Sequence, residues 1–406
     1  MRLTFRTIAI LAVLCSGCGT LRLNRQIREY ARLAVALGAR DPDSLDFSYG
    51  SLAAADKNPP RLDEIRTSAL ALQNELQGNP EPRARRLSLQ AQALAARAGE
   101  LLGARMDFAK AGTVYFGLRI PGADPDPKGE ARAEIDRLLD GADTLAERYA
   151  AFDAKFVIPP ERLPLVFARA VAGCRDQTVR SMPLPSGENV VIEYVHDKPW
   201  SAFSRYLGNY SSVIQVNADL ALTVDRALQL ACHEGYPGHH AYNSLHEERF
   251  VRGEHWLEWS VQPSFTPQAL ASEALATIAA QVAFPGEERF RFERDALFPL
   301  AGVNAADAGK YERIQRLVEK LELFEPAIAR DFADGKLEWQ RAAEALEQQA
   351  LMAHPEQTLK YIAEYRSYML TYTVGRALAA RHVVNWAQFD ELVNDPDAAS
   401  RIMNPE

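Results

Sequence analysis

Cysteine is scarce in this chain. Its 406 residues hold four, and two of these, Cys15 and Cys18, fall within the first twenty positions. Only Cys174 and Cys232 remain for the body of the protein, and neither has the spacing of a zinc-cysteine site. In an oxidising compartment the two could pair if the fold brings them close; two buried free thiols fit the sequence equally well. An excess of basic charge is also missing. With Lys+Arg 46 against Asp+Glu 54 the formal net charge is -8, which leaves no electrostatic footprint for nucleic acid or for anionic lipid. No low-complexity tract and no internal repeat of roughly 20 to 50 residues is present, so solenoids and propellers are excluded. What is there is ordinary globular composition, 47% hydrophobic and 25% charged, in a chain long enough for a large core.

The first residues stand apart. MRLTFRTIAILAVLCSGCGT places Arg2 and Arg6 before an apolar run over residues 8–14, then small residues. This is a secretory signal pattern, too short to cross a bilayer. LCSGC resembles a bacterial lipobox, with Gly17 and Cys18 at its last two positions and Cys15 departing from the usual leucine. The resemblance implies lipidation at Cys18. Gly19 follows where an inner-membrane retention signal would have aspartate, so the expected location is the bacterial cell envelope, lipid-anchored to the outer membrane and facing the periplasm. The lipid anchor is the only membrane contact expected.

Beyond it, helix signals dominate. Apolar residues recur three and four apart over 23–38, 61–76 and 82–102, and a further long helix is expected over 128–156. Proline and glycine clusters at DPDS, KNPP, GNPEP and PGADPDPKGE mark loops between them. Two strands, Asn189–Val195 and Ser211–Asn217, are expected where β-branched and aromatic residues lie between turn formers. Thr223 reads as the N-cap of the next helix, and Thr266 with Pro267 opens another. RFRFERD over 289–295 reads as a solvated amphipathic helix. The organisation expected is a signal segment over 1–18, an N-terminal helical region over 19–180 and a catalytic region over 181–406, with a mainly α fold and a small sheet beside the helix that bears the motif.

That motif is HEGYPGHH, residues 233–240. The familiar metallohydrolase signature has two histidines four apart on a helix with a glutamate between them as base. Here the next histidine comes six or seven places on. At about 100° per residue, His240 would share a face with His233 on an unbroken helix, but Pro237 forbids a regular helix through Tyr236-Pro237-Gly238. Either His239 or His240 could then reach a metal. Catalytic zinc takes three protein ligands and one water, and Glu273 is a lone carboxylate in the alanine-rich TPQALASEALATIAAQVAF, where a cation would offset its desolvation. A glutamate facing solvent is the competing reading.

Taken together, HExxPGHH and a later helix containing a glutamate resemble the bacterial proteins grouped as domain of unknown function 885, which in turn resemble the helical gluzincin metallopeptidases. Dipeptidyl peptidase III offers an analogy, since its HExxxGH motif carries one extra residue and a glycine before the second ligand. The resemblance covers roughly 180–385. It implies zinc, one ion, held by His233, His239 and Glu273, with Glu234 as general base. EYRSYMLTYTVGRALAARH is similar to the family's closing helix, and there Tyr372, with Tyr368 in reserve, is implied as oxyanion donor, beside Gly375 and Arg376. His240 is left for an oxyanion or supporting role. Two departures stand: Ser272-Glu273-Ala274-Leu275-Ala276 replaces a Glu-Gly-Trp-Ala stretch, and the chain is shorter than typical members.

The expected function is therefore a zinc-dependent hydrolase, first a metallopeptidase acting on a peptide or small amide substrate. A zinc hydrolase of non-peptide amides or esters, and a non-catalytic binding or scaffold lipoprotein, remain as alternatives. His196 follows the first strand, where either a place lining the cleft or a solvent-facing or structural role fits; His246, His255, His354 and His382 have no partners at ligand spacing.

Overall fold

The computed structural model describes residues 4–52, 58–122 and 125–403, with side chains from residue 21 onward. The lipidation expected at Cys18 thus lies outside the described side chains. Ten helices lead up to and build the site: α1 (Thr4–Arg40), α2 (Leu62–Leu76), α3 (Pro82–Leu101), α4 (Phe108–Phe116), α5 (Glu130–Leu138), α6 (Leu145–Asp153), α7 (Leu163–Ser181), α8 (Val224–Glu234), α9 (His239–His246) and α10 (Pro267–Ala283). Short helices from Glu288 to Met403 complete the chain. Five strands, β1 (Leu45–Ser48), β2 (Asn189–Val195), β3 (Ala202–Gly208), β4 (Ser211–Asn217) and β5 (Val261–Pro263), form two small sheets. The fold is mainly α. Among the described residues no helix is long and apolar enough to cross a membrane.

The chain divides into two compact units, and one is discontinuous. Unit 1 comprises residues 1–105 and 250–267; unit 2 comprises 106–249 and 268–406. The stretch 106–180, grouped with the N-terminal helices from its composition, belongs to unit 2.

In unit 1, α1, α2 and α3 bury Leu33, Leu37, Ile65, Leu72, Leu87 and Leu94 together, and Val261 of β5 joins that core. β1 pairs antiparallel with β5. Arg83 holds Glu258 through two hydrogen bonds of 2.6 and 2.8 Å.

In unit 2, a three-stranded sheet of order β2-β4-β3 lies beside α8 and α9. β2 and β4 have the expected bounds and run parallel; β3, which the sequence reading missed, closes an antiparallel hairpin with β4 through Asn209 and Tyr210, both at positive φ. The helix expected over 128–156 is broken. The first helix ends at Leu138, Gly141 in the linker takes φ +135°, and Thr144 with Glu147 forms a capping box that starts the next. Thr223 precedes α8 as expected, although its hydroxyl goes to Asp225 instead of the first-turn N–H groups. A disulfide joins Cys174 of α7 to Cys232 of α8. Arg289 corrects another expectation: it is 5% exposed, bound to Glu293 at 3.0 Å and Glu319 at 2.8 Å.

Candidate metal centre

α8 carries the first half of the motif and stops at Glu234. The chain then turns through a cis Tyr236–Pro237 peptide bond and restarts as α9 at His239. Gly238 makes the restart possible. Its N–H donates to Cys232 O at 3.0 Å, and a Cβ there would lie 1.9 Å from His233 O and 2.5 Å from Cys232 O. The two helix ends are therefore closer than any side chain permits, and His239 lands beside His233.

α10 brings the third group. It is apolar and buried all round except at Pro267, Thr277 and Gln281, as expected of a helix in the middle of a core. Glu273 is buried in it and does not face bulk solvent. Its Oε2 lies 3.3 Å from His233 Nε2 and 3.4 Å from His239 Nε2, and the two nitrogens are 3.1 Å apart. Three acceptor atoms thus converge on one point.

A zinc ion fits that triangle. Bonds of about 2.0–2.1 Å at tetrahedral angles set donor atoms about 3.3 Å apart. The buried Glu273 Oε2 has no hydrogen-bond partner, so without a cation its lone pairs and those of the imidazoles would repel at short range. Burial pushes the Glu273 carboxyl up, yet the facing imidazoles, in their charged form, outweigh it and hold the group well below the usual carboxylate range, the direction in which a bound cation would also act. Two further contacts aim the ligands. His239 Nδ1 meets Ser272 Oγ at 3.0 Å, which orients Nε2 toward His233 and Glu273, and Tyr368 OH donates to Glu273 Oε1 at 2.8 Å.

A second carboxylate belongs to the same cluster. His233, Glu234 and His239 have ligand atoms within 4.8 Å of one another, which could suggest Glu234 as a ligand. The 3.3–3.4 Å contacts of Glu273 match metal-ligand spacing, and Glu234, the residue after His233, has a carboxylate in the same group. Burial pushes the Glu234 carboxyl up against the pull of His233 and His239. A base held near the point of reaction with a raised pKa suits proton transfer near neutrality.

The two tyrosines separate. Tyr368 is buried with its hydroxyl engaged on Glu273, so it holds a ligand. Tyr372 lines the cleft with its ring 5.9 Å from that of His233 and its hydroxyl 3.3 Å from Tyr361 OH. Gly375 permits this approach, because a Cβ there would sit 3.0 Å from Leu270 and 3.3 Å from Ala274 of α10.

His240 points away from the convergence point. It is fully buried, with Nδ1 2.8 Å from Ser212 Oγ of β4 and Nε2 3.0 Å from Glu188 Oε2. Glu188 also accepts from Arg175 Nε at 2.8 Å and from Tyr236 OH. Burial raises the Glu188 pKa, but these donors lower it further, to about 2. This network ties α7, β4 and the turn to the start of α9. Glu188, Arg175 and Ser212 went unnoticed in the sequence because nothing in their spacing connects them to His240; Ser272 could have been noticed as the neighbour of Glu273. Of the other histidines, His246 is buried with Nε2 on Val393 O at 2.7 Å, and His354 lines the cleft far along the sequence from the motif.

The centre opens on a cleft of about 440 Å³. His233, Glu234 and Tyr372 line one end; Arg226, Gln229, Gln281 and Arg376 lie farther along.

No family model matches the chain, and no curated protein does. Among solved structures, one described as "the putative lipoprotein from Colwellia psychrerythraea" is similar at 14% identity and a TM-score of 0.48, over 90% of this chain and 67% of that one.

Proposed function

We propose that this protein is a zinc-dependent hydrolase that cleaves amide bonds, first of all peptide bonds, in the manner of the gluzincin metallopeptidases that its motifs resemble. The observation that carries the reading is the triangle of His233 Nε2, His239 Nε2 and Glu273 Oε2, with edges of 3.1, 3.3 and 3.4 Å. A zinc ion there would supply a Lewis acid for the scissile carbonyl and make a water acidic enough to react near neutrality.

The chain's own groups account for the remaining steps. Glu234 takes the proton of the attacking water and returns it to the leaving amine. Tyr372 offers its hydroxyl to the oxyanion that develops on the carbonyl oxygen. Tyr368 and Ser272 hold Glu273 and His239 in place, and His240 with Glu188 fixes the start of α9 from behind. A cleft of about 440 Å³ lies within the range of small-ligand sites, which favours a short substrate. Glu234 speaks against the scaffold reading, because a binding protein has no use for a buried base beside two clustered histidines.

The same reading puts the protein in the bacterial envelope. The signal pattern and Gly17-Cys18 support a lipid anchor at Cys18, and the Cys174–Cys232 disulfide suits an oxidising compartment such as the periplasm. Outer-membrane anchoring follows from Gly19.

The test is zinc content per chain by elemental analysis after dialysis. Wild type is expected to hold one zinc. His233→Ala, His239→Ala and Glu273→Ala are expected to lose it, and His240→Asn to retain it at saturating zinc with weaker affinity. Glu234→Gln should keep the metal and abolish turnover of peptide substrates. Wild type that stays metal-free after reconstitution with zinc would remove the hydrolase reading.

A further inference from the structure

The cleft face of α8 carries a guanidinium that no carboxylate among the described residues bonds. α8 is buried along its length except at Arg226, Gln229 and His233, and all three line the cleft. Arg226 precedes His233 by seven residues, which on a regular helix puts it within about 20° of the same face and about 10 Å away along the axis. Its exposure is therefore to the cleft that holds the metal centre.

Three guanidiniums line that cleft, and two are committed. Arg289 is bound to Glu293 and Glu319 in the floor. Arg376 pairs with Glu322 at 3.0 Å and donates to Glu319 O at 3.3 Å. Among the described residues Arg226 makes no ion pair. Its hydrogen bond runs from Nη1 to Gln229 Oε1 at 3.3 Å, a neutral partner on its own helix. Glu325, also in the cleft wall, is pushed up to about 8 by burial and by Glu322, and so carries little charge near neutrality. Arg226 thus offers the cleft a planar fork of donors suited to a carboxylate, and no carboxylate of the described residues bonds it.

We infer that Arg226 binds a carboxylate of the substrate and thereby selects short peptides that carry one two or three residues from the scissile bond. The spacing follows from the backbone. An extended peptide advances about 3.3–3.6 Å per residue, so about 10 Å corresponds to some three residues, and the reach of the arginine side chain shortens this to two. The carboxylate is either the free C-terminus or an acidic side chain at that place. Thr277 and Gln281 of α10 line the same stretch and can hydrogen-bond the intervening backbone. The step of cleavage rests on the hydrolase reading; the binding step does not.

The experiment separates the two. Zinc-loaded full-length protein carrying Glu234→Gln, so that ligand survives, is titrated by calorimetry with three probes. These are N-acetyl-tetra-alanine as free acid, its C-terminal amide, and the amide with aspartate in the last position. The free acid is expected to bind about 10- to 100-fold tighter than the amide. Adding Arg226→Gln should bring the acid down to the level of the amide with zinc content unchanged, and Arg226→Lys should restore part of the difference. Tight binding of the aspartyl amide identifies a side-chain carboxylate as the source; weak binding identifies the terminal one. Equal binding of acid and amide, no binding of either, or a preference that survives Arg226→Gln overturns the assignment. Turnover is read separately on protein with Glu234 intact. Acid-selective binding without turnover keeps the Arg226 site and sinks the hydrolase reading; turnover without acid preference does the reverse.

Discussion

At Gly238, adding a methyl group would place a carbon 1.9 Å from one backbone carbonyl and 2.5 Å from another. Backbone atoms at the meeting of two helices cannot yield as a flexible side chain does. Gly238→Ala should therefore cost on the order of 3 kcal/mol and also empty the metal centre, since relief can come only by moving His239 away from His233. Paired denaturation and zinc measurements check this, and a stable variant with full zinc would refute it. The same residue explains what the sequence could not decide. Whether His239 or His240 faces His233 depends on where α8 stops, and a glycine pattern does not state the angle at which a new helix begins. Glu273 was easier to read, because an isolated carboxylate among alanines needs a reason to be there. A second residue-scale effect concerns pH. Burial and the charge of Asp225 push Asp153 up to about 7, although Gln315 donates to it; burial pushes Glu293 up to about 7 as well, against the pull of Arg289. In the unfolded chain both titrate near 4. The folded state thus keeps protons that the unfolded state has released, so these groups' contribution to stability is full below pH ~4 and is lost as pH rises through about 7. Asp153→Asn should flatten that loss in melting temperatures taken across the window. A slope as steep as that of wild type would show that Asp153 titrates normally.

At the scale of elements, α8 is held from behind by a disulfide one residue before its first metal-facing histidine. Closing a loop between positions 58 apart in sequence is worth about 4 kcal/mol in the chain-entropy account. Replacing Cys174 and Cys232 by serine should lower the denaturant midpoint accordingly, and reducing agent should act on wild type but not on the variant. Unchanged midpoints would mean that the loop is already restrained by the packing of α7 on α8. Most elements were legible because their signals are local: periodicity for α2 and α3, proline and glycine for the loops, β-branched runs for β2 and β4. β3 was missed because SAFSRYLG lacks a β-branched run, and its place in the sheet comes from pairing with β4. The split of 128–156 turns on Gly141 and the Thr144 cap, which strong helix formers on either side conceal. Arg289 was misread for a different reason: an alternation of charged and aromatic residues looks solvated until distant Glu319 is known to lie against it.

At the scale of the whole molecule, unit 1 is built from two separated stretches of chain. A cut at exposed Arg105 severs the covalent link on one side only, and 250–267 remains bound to the first stretch through the β1–β5 ladder, Arg83–Glu258 and the buried Val261. Protein nicked there is expected to elute intact from a sizing column and to separate only in denaturant. Elution of the N-terminal fragment alone would show that the ladder and ion pair are too weak to hold it. The discontinuity also sets an order of events during synthesis. β1 is made early, but the strand that covers its edge is made only after residues 106–249 have been completed. At about 5–20 residues per second the interval from β1 to β5 is roughly 10 to 40 s. For that time the nascent chain presents a strand edge without its partner, which is the kind of surface that pairs with the wrong neighbour. The delay between the two stretches, more than the size of either unit, then governs how long the growing polypeptide needs shielding.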